Sequence, residues 1–223
     1  MKTLQEVREG AVKTTILPPE VLSCYFYPPR PVNGGRLDLA LPKNGVNWYE
    51  PKVNGWRALV HAPTGAMFNR LGERLTIESQ FKRSLEIIKS ICHSSRYTPD
   101  WFDVEALERR HNIGRGTLIV LDLCDPKRTY VERREIIDQF IIPLNGYGSG
   151  KPCLENEVRC LVPELDGMAM WNTLQQENAR LGGTPQTWFY EGVVAKRAES
   201  LYPLQHRSPE IEFPYWVKHR YSF

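Results

Sequence analysis

One lysine in the stretch YEPKVNGWRALV, residues 49–60, lies two residues after Glu50 and three before Gly55. A lysine amine that has lost its proton is a nucleophile able to attack a phosphorus or carbonyl centre. A glycine three residues on would let a phosphate chain approach the backbone. The same residues also read as plain structure, with Asn54-Gly55 as a hairpin turn and Lys52 as a strand lysine. A Lys-x-x-Gly spacing arises about once by chance in a chain of this length. The choice falls to the rest of the sequence.

The elements that would have to position Lys52 are read from periodicity. WYEPK and WRALVHA read as two strands joined by the Asn-Gly turn, and MFNRLGERL as a third with a turn at Gly72. SQFKRSLEIIKSICHS has apolar residues at 81, 85, 88, 91 and 92, which is helical spacing. WFDVEALE alternates as a strand, and TLIVLDLCD is a continuous apolar run, hence a buried strand. TYVERREIIDQFI opens on a threonine cap and reads as a helix; PELDGMAMWNTLQQENARLGG reads as another, stopped by Gly-Gly. TWFYEGVVAKR and YWVKHRY are strands. Helices and strands mix without βαβ order, which predicts an α+β domain with antiparallel sheets over residues 48–223. Residues 1–47, with LPPE, YPPRPVNGG and LPKNG, read as a Pro/Gly-rich N-terminal arm.

Composition narrows the function classes. The 223 residues are 41% hydrophobic and 25% charged, ordinary for a globular chain with a real core. A net charge of +3 permits a nucleic-acid partner without arguing for one. Five cysteines at 24, 92, 124, 153 and 160, with no Cys-x-x-Cys, speak against a disulfide framework or zinc site. With no apolar leader or span in view, a reducing, cytoplasmic setting is expected.

Five stretches fall in one order: Lys52-Val-Asn-Gly-Trp-Arg57, FNRLG (68–72), FDVEALE (102–108), YEGVVAKR (190–197) and WVKHRY (216–221). In that order they resemble the covalent nucleotidyltransferase superfamily of DNA ligases, RNA ligases and capping enzymes. The segment EGVVAKRAESLYP, running through Arg207-Ser208 into WVK, is most similar to ATP-dependent DNA ligases, as is the helix YVERREII. The resemblance runs from about residue 48 to the end. It implies an α+β nucleotidyltransferase fold, an ATP-grasp-like ligase adenylation domain of antiparallel sheets flanked by helices.

The resemblance also implies roles. Lys52 would take AMP from ATP as a phosphoramidate, which requires an amine neutralised by desolvation and neighbouring cations, since a free lysine titrates near about 10.4. Arg57, Lys218 and Arg220 would supply that field. Lys218 and Arg220, two apart on a strand, face one way and can grip one phosphate. Glu50 would accept from the adenine amino group, and Gly55 would leave room for the α-phosphate. Glu105 and Glu191 would hold Mg²⁺ or Mn²⁺, Glu105 also lying near the ribose. Val53, Arg70 and Lys196 complete the expected nucleotide contacts, with Arg70 resembling the arginine that meets a 5′-phosphate. The substrate would be nicked or broken nucleic acid, DNA ahead of RNA.

Plain readings stand beside these. Glu50 also fits an edge-strand solubiliser, and Asp103 a local cap or pair. Lys196 has the opposite strand parity to Glu191 and so points outward on simple alternation. Arg133 and Arg134 read as a solvated helix face, and Trp216 as core. Three departures from the ligase pattern stand out. Asn54 replaces an aspartate, Leu121 replaces an aromatic that stacks on adenine, and Arg220 replaces a lysine. The chain stops soon after WVKHRY, so no OB-fold domain is expected. The arm, with Arg30, Arg36 and Lys43 as its candidate contacts to a duplex, or a helper subunit would replace it, or the chain is a fragment. An NAD-dependent ligase is disfavoured because residues 1–47 hold no nicotinamide-type Tyr/Asp motif. An RNA ligase, and a catalytically silent nucleic-acid-binding module, remain the alternatives.

Overall fold

The computed structural model describes residues 27–39, 45–94, 98–108, 113–140, 157–203 and 211–221. Lys43, Cys24, Cys153 and Arg207-Ser208 lie outside the described residues, as does most of the N-terminal arm.

β2 (Asn47–Val53) and β3 (Trp56–His61) are both strands, but they do not pair with each other. β2 pairs with β8 (Tyr190–Arg197), whereas β3 pairs with β4 (Ala66–Asn69) and β5 (Trp101–Leu107). Asn54-Gly55 is therefore the crossing from one sheet to the other, not a hairpin turn. The reason is a pair of hydrogen bonds: Asn54 N–H donates to Phe189 O and its amide Nδ2 to Trp188 O, so the turn is fastened to the lead-in of β8.

The four-stranded sheet has the order β1-β9-β8-β2, with β1 at Arg30–Asn33 and β9 at Glu212–Arg220. The five-stranded sheet runs β4-β3-β5-β6-β7, with β6 at Thr117–Leu123 and β7 at Val158–Cys160. Pairing is antiparallel except at two edges, where β1 lies parallel to β9 and β7 parallel to β6. Neither edge pairing was expected from periodicity, because both strands are too short to show one. β5 is buried at every position rather than alternating, since both faces of its sheet are covered.

Helices α1 (Lys82–Ser94) and α2 (Tyr130–Phe140) cover one face of the five-stranded sheet, burying Ile88 and Ile137 against Val60, Phe102, Val104 and Val120. α2 opens with a capping box: Glu132 Oε2 accepts from Thr129 N–H at 2.7 Å, and Thr129 Oγ1 from Glu132 N–H at 3.4 Å. α3 (Gly167–Leu181) is capped by Asp166 and packs Met170, Trp171 and Leu174 on Tyr49, Val193 and Ala195 of the four-stranded sheet. The other face of β3 meets β9 through Leu59, Trp101 and Trp216. The two sheets thus face each other. Among the described residues no helix is long and apolar enough to cross a membrane, and Cys92, Cys124 and Cys160 are free.

Candidate active site

A cavity of about 440 Å³ opens between the sheets, and all eleven residues singled out above line it: Glu50, Lys52, Val53, Gly55, Arg57, Arg70, Glu105, Glu191, Lys196, Lys218 and Arg220. Arg30, Leu121, Val194 and Trp216 line it as well. Arg30 is one of the cations of the N-terminal arm, and its place at the cavity comes from the β1–β9 pairing, which periodicity did not show.

At the mouth, Lys52 Nζ donates to Glu191 Oε2 at 2.5 Å, and Arg220 Nε lies 3.5 Å from the same oxygen. These two residues meet because of a bulge. Lys52 pairs with Gly192 and Val53 with Tyr190, so Glu191 is the extra residue of the bulge in β8. Gly192 has φ 149°, and a Cβ there would lie 2.0 Å from the His219 carbonyl oxygen. Only glycine permits that backbone, so the Glu-Gly pair is what turns Glu191 toward Lys52. The bulge also resets strand parity. Lys196, five residues on, faces the cavity rather than solvent and is 2% exposed. Simple alternation fails here for that reason.

Burial pushes the Lys218 ammonium below the ordinary lysine range, and Arg220 and Arg30 beside it add to the shift. Glu105 is pushed up to about 7, chiefly by burial; the positive charges of Lys52 and Arg57 oppose this and the carboxylate of Glu191 reinforces it. Glu105 Oε1 accepts from Gly55 N–H at 2.9 Å.

From the closed end of the cavity a buried ionic chain runs into the protein, starting at Glu50 and Lys196. Glu50 is 2% exposed and pairs with Lys196 at 2.8 Å; it is no edge-strand solubiliser. Lys196 reaches Asp122 at 3.4 Å, and Asp122 takes Arg133 through two bonds at 2.7 and 3.1 Å.

No protein-family model matches the chain, and no curated protein matches it. Solved structures do. The ligase domain of LigD from M. tuberculosis matches at 18% identity with a TM-score of 0.56, over 87% of this chain and 59% of that one. Mycobacterial DNA ligase D complexed with ATP matches at 17% identity and a TM-score of 0.53, over 88% and 60%. The structure Pmar-Lig_Pre matches at 16% identity and a TM-score of 0.58, over 87% and 46%. The fold is that of a DNA ligase domain. The chain spans between 46% and 60% of the length of these three ligase chains.

Several residues of this ligase fold sit otherwise than the sequence suggested. Arg133 and Arg134 are not a solvated face: both are buried, Arg133 on Asp122 and Arg134 on Asp138. Asp103 does not cap or pair locally. It is fully buried, holds Arg57 through two bonds, and accepts from the Tyr202 hydroxyl at 2.9 Å. The charge of Arg57 is therefore offset beneath the cavity. A Cβ at Gly55 would come within 2.7 Å of Glu105 Cγ and 2.9 Å of Ala106 O. Close packing on β5 is thus enough to require glycine there, whatever a phosphate needs. Asn54 has a role that aspartate could not fill, because its amide donates to a carbonyl. Where an aromatic was expected to face adenine, Leu121 and Val194 offer apolar contact, and Trp216 is both core and cavity floor.

Proposed function

We propose that this chain is an ATP-dependent polynucleotide ligase that seals nicks in DNA through a lysyl-AMP intermediate on Lys52. The observation that carries the reading is the contact of Lys52 Nζ with Glu191 at 2.5 Å, at the mouth of a cation-rich cavity within a ligase fold.

Glu191 is positioned to take the proton that the Lys52 amine must lose before attack. The freed lone pair would form a bond to the α-phosphorus of ATP while the bond to pyrophosphate breaks. Lys218 and Arg220 would hold the phosphates, and Lys218, below its ordinary range, would be the proton carrier of the two. Arg220 keeps its charge throughout and serves as a grip. Glu50 would accept from the adenine amino group at the closed end, with Leu121 and Val194 against the base. Glu105 and Glu191 suit Mg²⁺ or Mn²⁺, since Mg²⁺ takes one or two carboxylates together with waters and substrate phosphates. Among the described residues no group of three or more His, Cys, Asp and Glu forms a full protein cage, which fits a metal that arrives with the nucleotide. That ion would neutralise charge developing on the phosphates. AMP would then pass to a 5′-phosphate near Arg70, and the 3′-hydroxyl would displace it. A helper subunit or further domain would close over the duplex, and the cytoplasm would be its setting.

The test is incubation with labelled ATP and Mg²⁺ followed by denaturing electrophoresis, then sealing of nicked duplexes. Lys52→Ala should remove the adduct and lower sealing of unadenylated nicks by more than about 10³-fold. Label surviving in Lys52→Ala, or equal labelling by GTP, overturns the assignment. Sealing confined to RNA ends would make it an RNA ligase. No adduct at all would leave a silent nucleic-acid-binding module.

A further inference from the structure

Both carboxylate oxygens of Glu50 are engaged from the protein side. Oε1 accepts from the Tyr130 hydroxyl at 2.7 Å, and Oε2 pairs with Lys196 Nζ at 2.8 Å. The donors come from different elements, Tyr130 from the first turn of α2 and Lys196 from β8 beside β2. The terminal torsion of a glutamate is broad, so a carboxylate held by one donor swings; two donors from two directions fix its plane. Lys196 is itself fixed. Its ammonium also reaches Leu121 O at 2.8 Å and Asp122 at 3.4 Å, and lies 4.2 Å from the centre of the Trp216 ring. Three N–H donors meet three acceptors, leaving none to grip a phosphate. Burial and the Glu50 carboxylate hold the Tyr130 phenol well above its ordinary range, so it stays a donor.

A carboxylate has about four lone-pair directions, and two of these remain on Glu50. Toward the cavity Glu50 is then an acceptor only. It suits a purine amino group at C6, a donor, and opposes a 6-oxo group, an acceptor. We infer that Tyr130 and Lys196 are positioning residues that lock Glu50 as an acceptor toward the cavity, and so set preference for a 6-amino over a 6-oxo purine. The inference rests on the ligase reading only for the presence of a nucleotide in this cavity.

The test is Tyr130→Phe in the full chain, which keeps the ring and removes the donor. Adduct formation and equilibrium binding are measured with ATP and with inosine triphosphate. The expected result is a rise of about tenfold in KM for ATP with kcat within about twofold, and a fall of about tenfold in the ATP-to-inosine preference. If Tyr130→Phe does not fold, Lys196→Arg gives the same reading. It keeps the charge but not the three-way donor geometry, and the preference should fall likewise. An unchanged preference in the folded variant overturns the inference, whatever its melting temperature. Wild-type protein that makes no adduct, yet prefers ATP in binding through Tyr130, sinks the ligase reading and leaves this one standing. Wild-type protein that makes the adduct but binds both nucleotides equally does the reverse.

Discussion

At the closed end of the cavity, Glu50, Lys196, Asp122 and Arg133 alternate in sign, each within 3.4 Å of a partner. At the mouth, Arg30, Lys52, Arg70, Lys218 and Arg220 line the wall with two carboxylates, Glu105 and Glu191. The closed end is complete as it stands. It is a preorganised surface whose ions have replaced water with each other. The mouth carries an excess of positive charge, which adds to burial in holding Lys218 below the ordinary lysine range. On the ligase reading, recognition of a neutral base and capture of a charged phosphate chain call for opposite electrostatics, and this cavity offers both.

The largest effect expected from breaking this contrast is at Arg133, whose side chain is fully buried on Asp122. Arg133→Met removes the partner of a buried carboxylate and should cost about 3–5 kcal/mol in urea denaturation. A loss below about 1 kcal/mol would mean the closed end is not the rigid part. Glu105→Gln tests the mouth. With a folded pKa raised from 4.5 to about 7, Glu105 holds its proton in the folded state while the unfolded chain has released it. Its contribution is fully present below pH 4.5 and is lost as pH rises to about 7, roughly 3 kcal/mol in all. Melting scans across that range should therefore show a downward slope that Glu105→Gln flattens. Added Mg²⁺ with ATP should flatten it too, by favouring the ionised form. Parallel slopes for both proteins would place Glu105 outside the electrostatics of the mouth. The smallest effect concerns Arg30. Arg30→Gln should lower the salt dependence of nicked-duplex binding by about one unit of log–log slope and leave adduct formation within about twofold. An unchanged slope would remove Arg30 from the phosphate-facing set.

Local signals made the helices and inner strands legible: apolar spacing in α1, the Thr129 cap of α2, and the apolar run of β6. The residues that line the cavity were legible too, because they recur in the order of the family the sequence resembles. What escaped was set by contacts distant in sequence. Arg133 looks solvated on its own helix and is buried only because Asp122 on β6 lies beneath it. Simple alternation sends Lys196 outward, but a bulge at Glu191 shifts the register by one, and nothing in YEGVVAKR except its glycine hints at that. The destination of the Asn54-Gly55 turn depends on the lead-in of β8, more than 130 residues later.

β1 and β9 pair Arg30 with Glu212 and Asn33 with Lys218, so the first and last strands described here are neighbours. Closing so long a loop is entropically expensive, and such pairings form late. During synthesis, the five-stranded sheet with α1 and α2 can assemble while β9 is still inside the ribosome. The wall made by Pro29, Arg30, Trp216 and Lys218 cannot. A nascent chain would thus hold Lys52 without Lys218 and Arg220 beside it until β9 docks. Pulse-labelled hydrogen exchange should find the amides of β1 among the last to gain protection.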